Sequence, residues 1–112
     1  MTVVERAWGF YKVLDVGSGW TVKELEFNEN KALSDQRHTY RSEHWHVVKG
    51  NILMELEYPD GKLATKIYTA GESIDIPKGT WHKATNVSKG KAHVIEVWLG
   101  DKLAEADIER RD

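Results

Sequence analysis

The sequence contains no cysteine. Disulfide staples and thiolate metal ligands are therefore excluded, and any metal must be held by imidazole, carboxylate, amide or carbonyl groups. Proline occurs only at Pro59 and Pro77, so its two positions read as punctuation between segments. No apolar run approaches the roughly 20 residues that a bilayer-spanning helix needs. The opening stretch, MTVVERAWGF, has neither the basic start nor the long apolar segment of a signal peptide, which makes a cytoplasmic protein the expectation. The Asn86-Val87-Ser88 sequon then reads as a chance match, because glycosylation needs the secretory route. An excess of either charge is also missing. Sixteen Lys and Arg against 18 Asp and Glu leave a net charge of -2, which is no footprint for nucleic acid.

What is present suits one folded unit. With 112 residues, 40% of them hydrophobic, the chain is expected to form a single domain over 1–112 around one core. Five tryptophans supply large buried areas, in the barrel or at a subunit contact.

Most segments have strand character. WTVKELEF (20–27) alternates, with Leu25 and Phe27 on one face and glutamates on the other. HWHVVKGNILMELEY (44–58) reads as two strands broken at Gly50. Pro59-Asp60-Gly61 is a hairpin turn leading into KLATKIYTA. ESIDIP is a short strand stopped by Pro77, and NVSKGKAHVIEVWLG reads as a further hairpin turning near Lys89-Gly90. Only DKLAEADIERR has helical composition, which predicts a short C-terminal helix. Many short strands with regular turn signals predict an all-β sandwich or barrel.

Two motifs stand out. In DQRHTYRSEHWHVVKG (35–50), three of the five histidines fall between His38 and His46. Gln36 and His38 lie two residues apart and share a face of an extended strand. After a turn, Glu43 starts the next strand and can point the same way. The second motif, GESIDIPKGTWHKATN, runs from Gly71 through Pro77, Gly79 and His82 to Asn86. Its glycines permit tight turns, its proline ends a strand, and His82 opens the following one.

This pair of motifs resembles the cupin superfamily, a double-stranded β-helix or jelly-roll barrel. With Gln36 at the first ligand position and Arg41-Ser42-Glu43-His44-Trp45 after it, the chain resembles more narrowly the C-terminal cupin domain of type II mannose-6-phosphate isomerases, which is usually fused to a GDP-mannose pyrophosphorylase. RAWGFYKVLD (6–15), VKELEF and the closing VIEVWLGDKLAEADIER carry the likeness along most of the chain. Thr39 and Tyr40 depart from it, standing where the family has histidines, and Ala7 replaces a proline.

The resemblance implies one divalent metal ion held by Gln36, His38, Glu43 and His82. The donor set suits zinc, manganese, iron, cobalt or nickel, and the family's habit favours zinc. Glu43 and its strand neighbours set the other orientations: if Glu43 points inward, His44 and His46 point outward. His93 reads as structural. Lys23 shares a face with Leu25 and Phe27, so it either meets an anion inside the barrel or snorkels to its mouth. Arg41 is a candidate to bind phosphate or to hold Glu43, and Arg110 to grip a phosphate from the tail. Glu96, flanked by apolar residues, is a candidate general base or a buried partner for Lys23 or an arginine.

The activity implied is metal-dependent isomerisation of mannose 6-phosphate to fructose 6-phosphate through an enediol. Glu96 and Arg41 would act in catalysis, and Lys23, Arg41 and Arg110 would hold the phosphosugar. The alternatives are a non-catalytic metal-containing cupin that binds a sugar or small acid, and a cupin dioxygenase or sugar epimerase. A homodimer is the assembly expected of a one-barrel cupin, with no nucleic-acid or membrane partner.

Overall fold

A computed structural model describes residues 2–111. The strands are β1 (Val3–Arg6), β2 (Gly9–Gly17), β3 (Trp20–Phe27), β4 (Gln36–Arg37), β5 (Ser42–Lys49), β6 (Asn51–Glu57), β7 (Leu63–Thr69), β8 (Ser73–Ile76), β9 (Trp81–Asn86), β10 (Ala92–Leu99) and β11 (Glu109–Arg110). They form a six-stranded sheet in the order β1-β2-β3-β10-β5-β8 and a five-stranded sheet in the order β11-β4-β9-β6-β7. Every pairing is antiparallel. The all-β jelly roll expected from the sequence is the architecture found.

The inward stripes explain where the site lies. Along β3 the buried positions are Thr21, Lys23, Leu25 and Phe27, along β5 Glu43, Trp45 and Val47, and along β10 Ala92, Val94, Glu96 and Trp98. Each stripe is polar toward one end and apolar toward the other. Antiparallel register brings like ends together: Glu96 lies opposite Lys23 and Trp45, while Val94 lies opposite Leu25 and Val47. The apolar end packs with Ile76 of β8 and with Ile52, Met54, Leu56 and Ala84 from the facing sheet into one core. The polar end is left as a chamber at the barrel mouth.

Two turns follow their sequence signals. At Pro59-Asp60-Gly61 the Gly61 amide donates to the Tyr58 carbonyl, and Gly61 sits at φ +87°. Gly79, at φ +74°, donates its amide to the His38 carbonyl at 2.8 Å, which fastens the two motifs to each other.

Two expectations need correcting. NVSKGKAHVIEVWLG is not a hairpin. Its two strands, β9 and β10, belong to different sheets, and the turn between them carries the chain across the barrel end. That turn is anchored by Asn86, whose buried amide nitrogen lies 3.3, 3.1 and 2.9 Å from the carbonyls of Phe27, Asn28 and Gly90. Likewise, DKLAEADIERR forms no helix. It runs as an irregular strap over residues 100–108 into β11, which pairs with β4. Local helix propensity is weak beside what the strap gains at the barrel mouth from contacts with Lys23, His38, Arg41 and the amides of Thr39 and Tyr40.

Asn86→Ala removes donors from buried carbonyls and should lower unfolding stability by about 2 kcal/mol or more. Urea unfolding measures this; an unchanged midpoint would show that the crossing is held by other contacts.

Candidate metal centre

His38, just past β4, Glu43 at the start of β5 and His82 at the start of β9 bring one ligand atom each to within 4.8 Å of one another. All three are buried, at 3%, 2% and 2% exposure. His38 Nε2 lies 3.2 Å from Glu43 Oε2, and His82 Nε2 lies 3.7 Å from Glu43 Oε1. Gln36 is directly opposite His82 in the β4–β9 pairing, is 8% exposed and lines the same chamber.

The ring tautomers follow from the neighbours. His38 Nδ1 is 2.7 Å from the Asp107 carbonyl and His82 Nδ1 is 2.9 Å from the Thr80 carbonyl. A carbonyl can only accept, so each Nδ1 donates, and in the neutral ring each Nε2 turns a lone pair toward Glu43. Two imidazole lone pairs and a carboxylate thus converge in a buried space. That arrangement fits a cation, and imidazole and carboxylate donors suit a divalent metal.

Burial lowers the His38 pKa to about 4, with Arg41 and His82 adding to the effect and Glu43 and the Asp107 carbonyl opposing it. Burial pushes the Glu43 carboxyl upward, yet His82, His38, Arg41 and the Trp45 N–H together outweigh it and hold the pKa at about 2. Trp45 Nε1 donates to Glu43 Oε1 at 2.9 Å and Arg41 Nε to Oε2 at 2.8 Å. Arg41 also places Nη2 3.2 Å from His38 Nε2 and stacks on Trp98 at 3.5 Å. Arg41 thus holds the Glu43 carboxylate in place.

The chamber encloses about 430 Å³. Gln36, Glu43, His82, Lys23, Arg41, Glu96 and Arg110 all face it. Lys23 points inward and is buried, with its ammonium 4.2 Å from the Tyr11 ring and 3.7 Å from that of Trp98. Its ion-pair partner is Glu105 at 2.6 Å, a residue the sequence reading did not single out. Glu96 is buried, accepts from Trp98 Nε1 at 2.5 Å, and has its pKa raised to about 8 by burial and by the Glu43 charge, against Lys23 and Arg41. Arg110 is exposed at the chamber mouth, on β11 opposite Gln36.

Asp107 was also overlooked, though it opens the Asp-Ile-x-Arg tail. Its carboxylate accepts from the amides of Thr39 at 2.9 Å and Tyr40 at 2.8 Å, while its carbonyl holds the His38 ring. Thr39 and Tyr40 contribute backbone there. Outward-facing His44 pairs with Asp75 at 2.6 Å and His46 with Ser73 at 2.7 Å. His93 sits between Glu24 and Glu26 on the outer face.

Comparison with solved structures agrees with this picture. A Bacillus subtilis oxalate decarboxylase, studied for its Mn(II) centres, superposes with a TM-score of 0.84 over 97% of this chain and 30% of its own, at 12% identity. An oxalate oxidase bound to glycolate gives 0.73 over 82% of this chain and 46% of its own, at 23% identity. The chain has the cupin fold. A family model described as "Mannose-6-phosphate isomerase C-terminal" matches residues 1–112, and the chain belongs to that family.

Curated relatives include a mannose-1-phosphate guanylyltransferase of Salmonella montevideo, 36% identical over 107 residues, 96% of this chain and 22% of the relative. The alginate biosynthesis protein AlgA of Pseudomonas aeruginosa is 37% identical over 96% of this chain and 21% of its own length. The chain thus spans about a fifth of the curated relatives it matches. These relatives correct the expected activity. They include enzymes named for guanylyl transfer to mannose 1-phosphate, and none of those cited is named a phosphomannose isomerase, so conversion of mannose 6-phosphate to fructose 6-phosphate is not upheld. Among the described residues, no helix is long and apolar enough to cross a membrane.

The buried charges set opposite pH dependences in metal-free protein. His38 and Glu43 bind protons less readily folded than unfolded, so their stabilisation is lost on acidification, from pH 6.5 down through about 4 and from 4.5 down through about 2. Glu96 keeps its proton in the fold while the unfolded chain releases it, so stability falls as pH rises from 4.5 through about 8. Glu96→Gln should flatten that alkaline decline in a melting-temperature series between pH 5 and 9 run with chelator; an unaltered slope would place the titration elsewhere.

Proposed function

We propose that the chamber is a metal-centred receptor for a small oxygen-rich anion, and that this anion is a mannose phosphate. One divalent ion would be held by His38, Glu43 and His82, with Gln36 as the fourth protein donor. The observation that carries the reading is the convergence of two imidazole lone pairs on the buried carboxylate of Glu43, which with His82 lines a chamber that also presents buried Lys23 and mouth-lining Arg110.

Zinc is the first candidate, since it accepts this mix of nitrogen and oxygen donors; manganese, present in the oxalate decarboxylase, is the second. The metal supplies Lewis-acid polarisation of a ligand oxygen when bound. The rest falls to the chain itself. Arg41 and Trp45 hold Glu43 in place, Lys23 and Arg110 receive the anionic group, and the strap shields the chamber from water. Mannose phosphate is favoured over other anions because curated relatives are named for mannose 1-phosphate. The receptor would then serve mannose 1-phosphate chemistry by binding its substrate.

A second reading, in which bound ligand is also transformed, has one observation in its favour. Glu96 holds a proton in the chamber up to about pH 8 and is a ready donor to a ligand oxygen. Recovery of the sugar phosphate unchanged after prolonged incubation separates receptor from catalyst.

Elemental analysis of purified protein should find about one divalent ion per chain, and zinc or manganese added after chelation should raise the melting temperature. His82→Ala should remove both effects. Calorimetric titration with mannose 1-phosphate should show binding that His82→Ala weakens by about tenfold or more. A folded wild-type protein that takes up no metal would overturn the reading.

A further inference from the structure

The Lys23–Glu105 pair is lopsided. The Lys23 side chain is 4% exposed and the Glu105 side chain 61% exposed, yet their charged atoms stand 2.6 Å apart. Lys23 rises from the floor of the chamber, on β3, between the rings of Tyr11 and Trp98. Glu105 reaches it from outside, on the irregular strap. Around Glu105 the strap is well fastened: the Ala104 carbonyl accepts from Arg41 Nη1 at 3.2 Å, and Asp107 is tied to the amides of Thr39 and Tyr40. The carboxylate at 105 is thus presented to the chamber by anchors on both sides.

The energetics of this contact are asymmetric. An exposed carboxylate that swings out is resolvated by water at little cost. A buried ammonium left behind without an anion is strongly disfavoured. The lysine therefore requires an anion at this spot, whereas Glu105 does not require the lysine. Glu96, opposite Lys23 on β10, lies nearby, but its bonded partner is Trp98. Among the described residues, Glu105 is the acid that pairs with Lys23.

We propose that the Glu105 carboxylate stands in for the anionic group of the ligand, and that a phosphate or carboxylate enters the chamber by displacing it from Lys23 and freeing this part of the strap. The inference rests on the anion-receptor reading above and assigns the anion's seat within it. The strap acts as a built-in competitor: it keeps Lys23 neutralised in the empty chamber and admits only ligands whose anion replaces the carboxylate.

The test uses calorimetric titration of the full chain with inorganic phosphate, mannose 1-phosphate and uncharged mannose. Glu105→Gln keeps the shape of the side chain and removes its charge. It should bind both phosphates about fivefold to tenfold tighter than wild type and leave mannose unchanged. Glu109→Gln, which removes an exposed charge paired with Arg37 instead, should alter nothing, excluding a general charge effect. Lys23→Met should abolish the gain. In wild type, hydrogen exchange over residues 101–106 should speed up on adding mannose 1-phosphate. Equal or weaker phosphate binding by Glu105→Gln, alongside measurable binding by wild type, overturns the competitor while leaving the receptor standing. Tighter binding of uncharged mannose would reduce the effect to space and overturn it too. Failure of wild type and every variant to bind either phosphate would defeat the receptor reading and this one with it.

Discussion

One buried carboxylate governs the mouth of this barrel. Glu43 is 2% exposed, and an ionised acid at that depth is tolerable only when surrounded by donors or cations. Arg41 and the Trp45 indole donate to it, and two imidazoles turn their Nε2 lone pairs toward the same space, which a cation shared with the carboxylate would satisfy. Each of these partners then demands a support of its own. Arg41 needs the Trp98 face and the Ala104 carbonyl; His38 needs the Asp107 carbonyl; His82 needs that of Thr80. The strap over residues 100–108 lies where it does because two of those supports come from it.

The same short pattern, Glu-x-Trp, occurs twice side by side with opposite outcomes. Glu43 accepts from Trp45 and Glu96 from Trp98, and the strands run antiparallel so that Glu43 lies opposite Trp98 and Glu96 opposite Trp45. Glu43 has cationic and imidazole neighbours and stays ionised. Glu96 has burial and its twin's negative charge against it and keeps its proton. Two carboxyls pushed apart in this way give one chamber both an ionised carboxylate and a protonated one.

Much of this was legible in the sequence because strand geometry is strict. A period of two fixes Gln36 with His38, turns His44 and His46 away from Glu43, and puts Lys23 on the face of Leu25. The glycines and the proline of the second motif marked turns that the structure contains. Arg41 was read as a candidate either to bind phosphate or to hold Glu43, and it lies against Glu43. What escaped depends on contacts between residues far apart in the chain. Nothing local to Lys23 names Glu105, and nothing in DKLAEADIERR announces that Asp107 will bind backbone amides near residue 40. Composition there pointed to a helix, and tertiary anchoring won. The hairpin reading near Lys89-Gly90 failed for a related reason: a turn signal states that the chain reverses, not that the flanking strands pair. The isomerase expectation failed at another level, since a family resemblance carries a scaffold more securely than an activity.

The donors of the candidate metal centre are divided between the two sheets. Gln36 and His82 belong to the five-stranded sheet, with His38 directly after its strand β4, whereas Glu43 begins β5 of the six-stranded one. An ion held by all four would clasp one wall of the sandwich to the other at its open end, where no apolar core does so. Such a clasp would add to the tie that the strap already makes there, since it pairs with β4 through β11 and reaches Lys23 of β3 through Glu105.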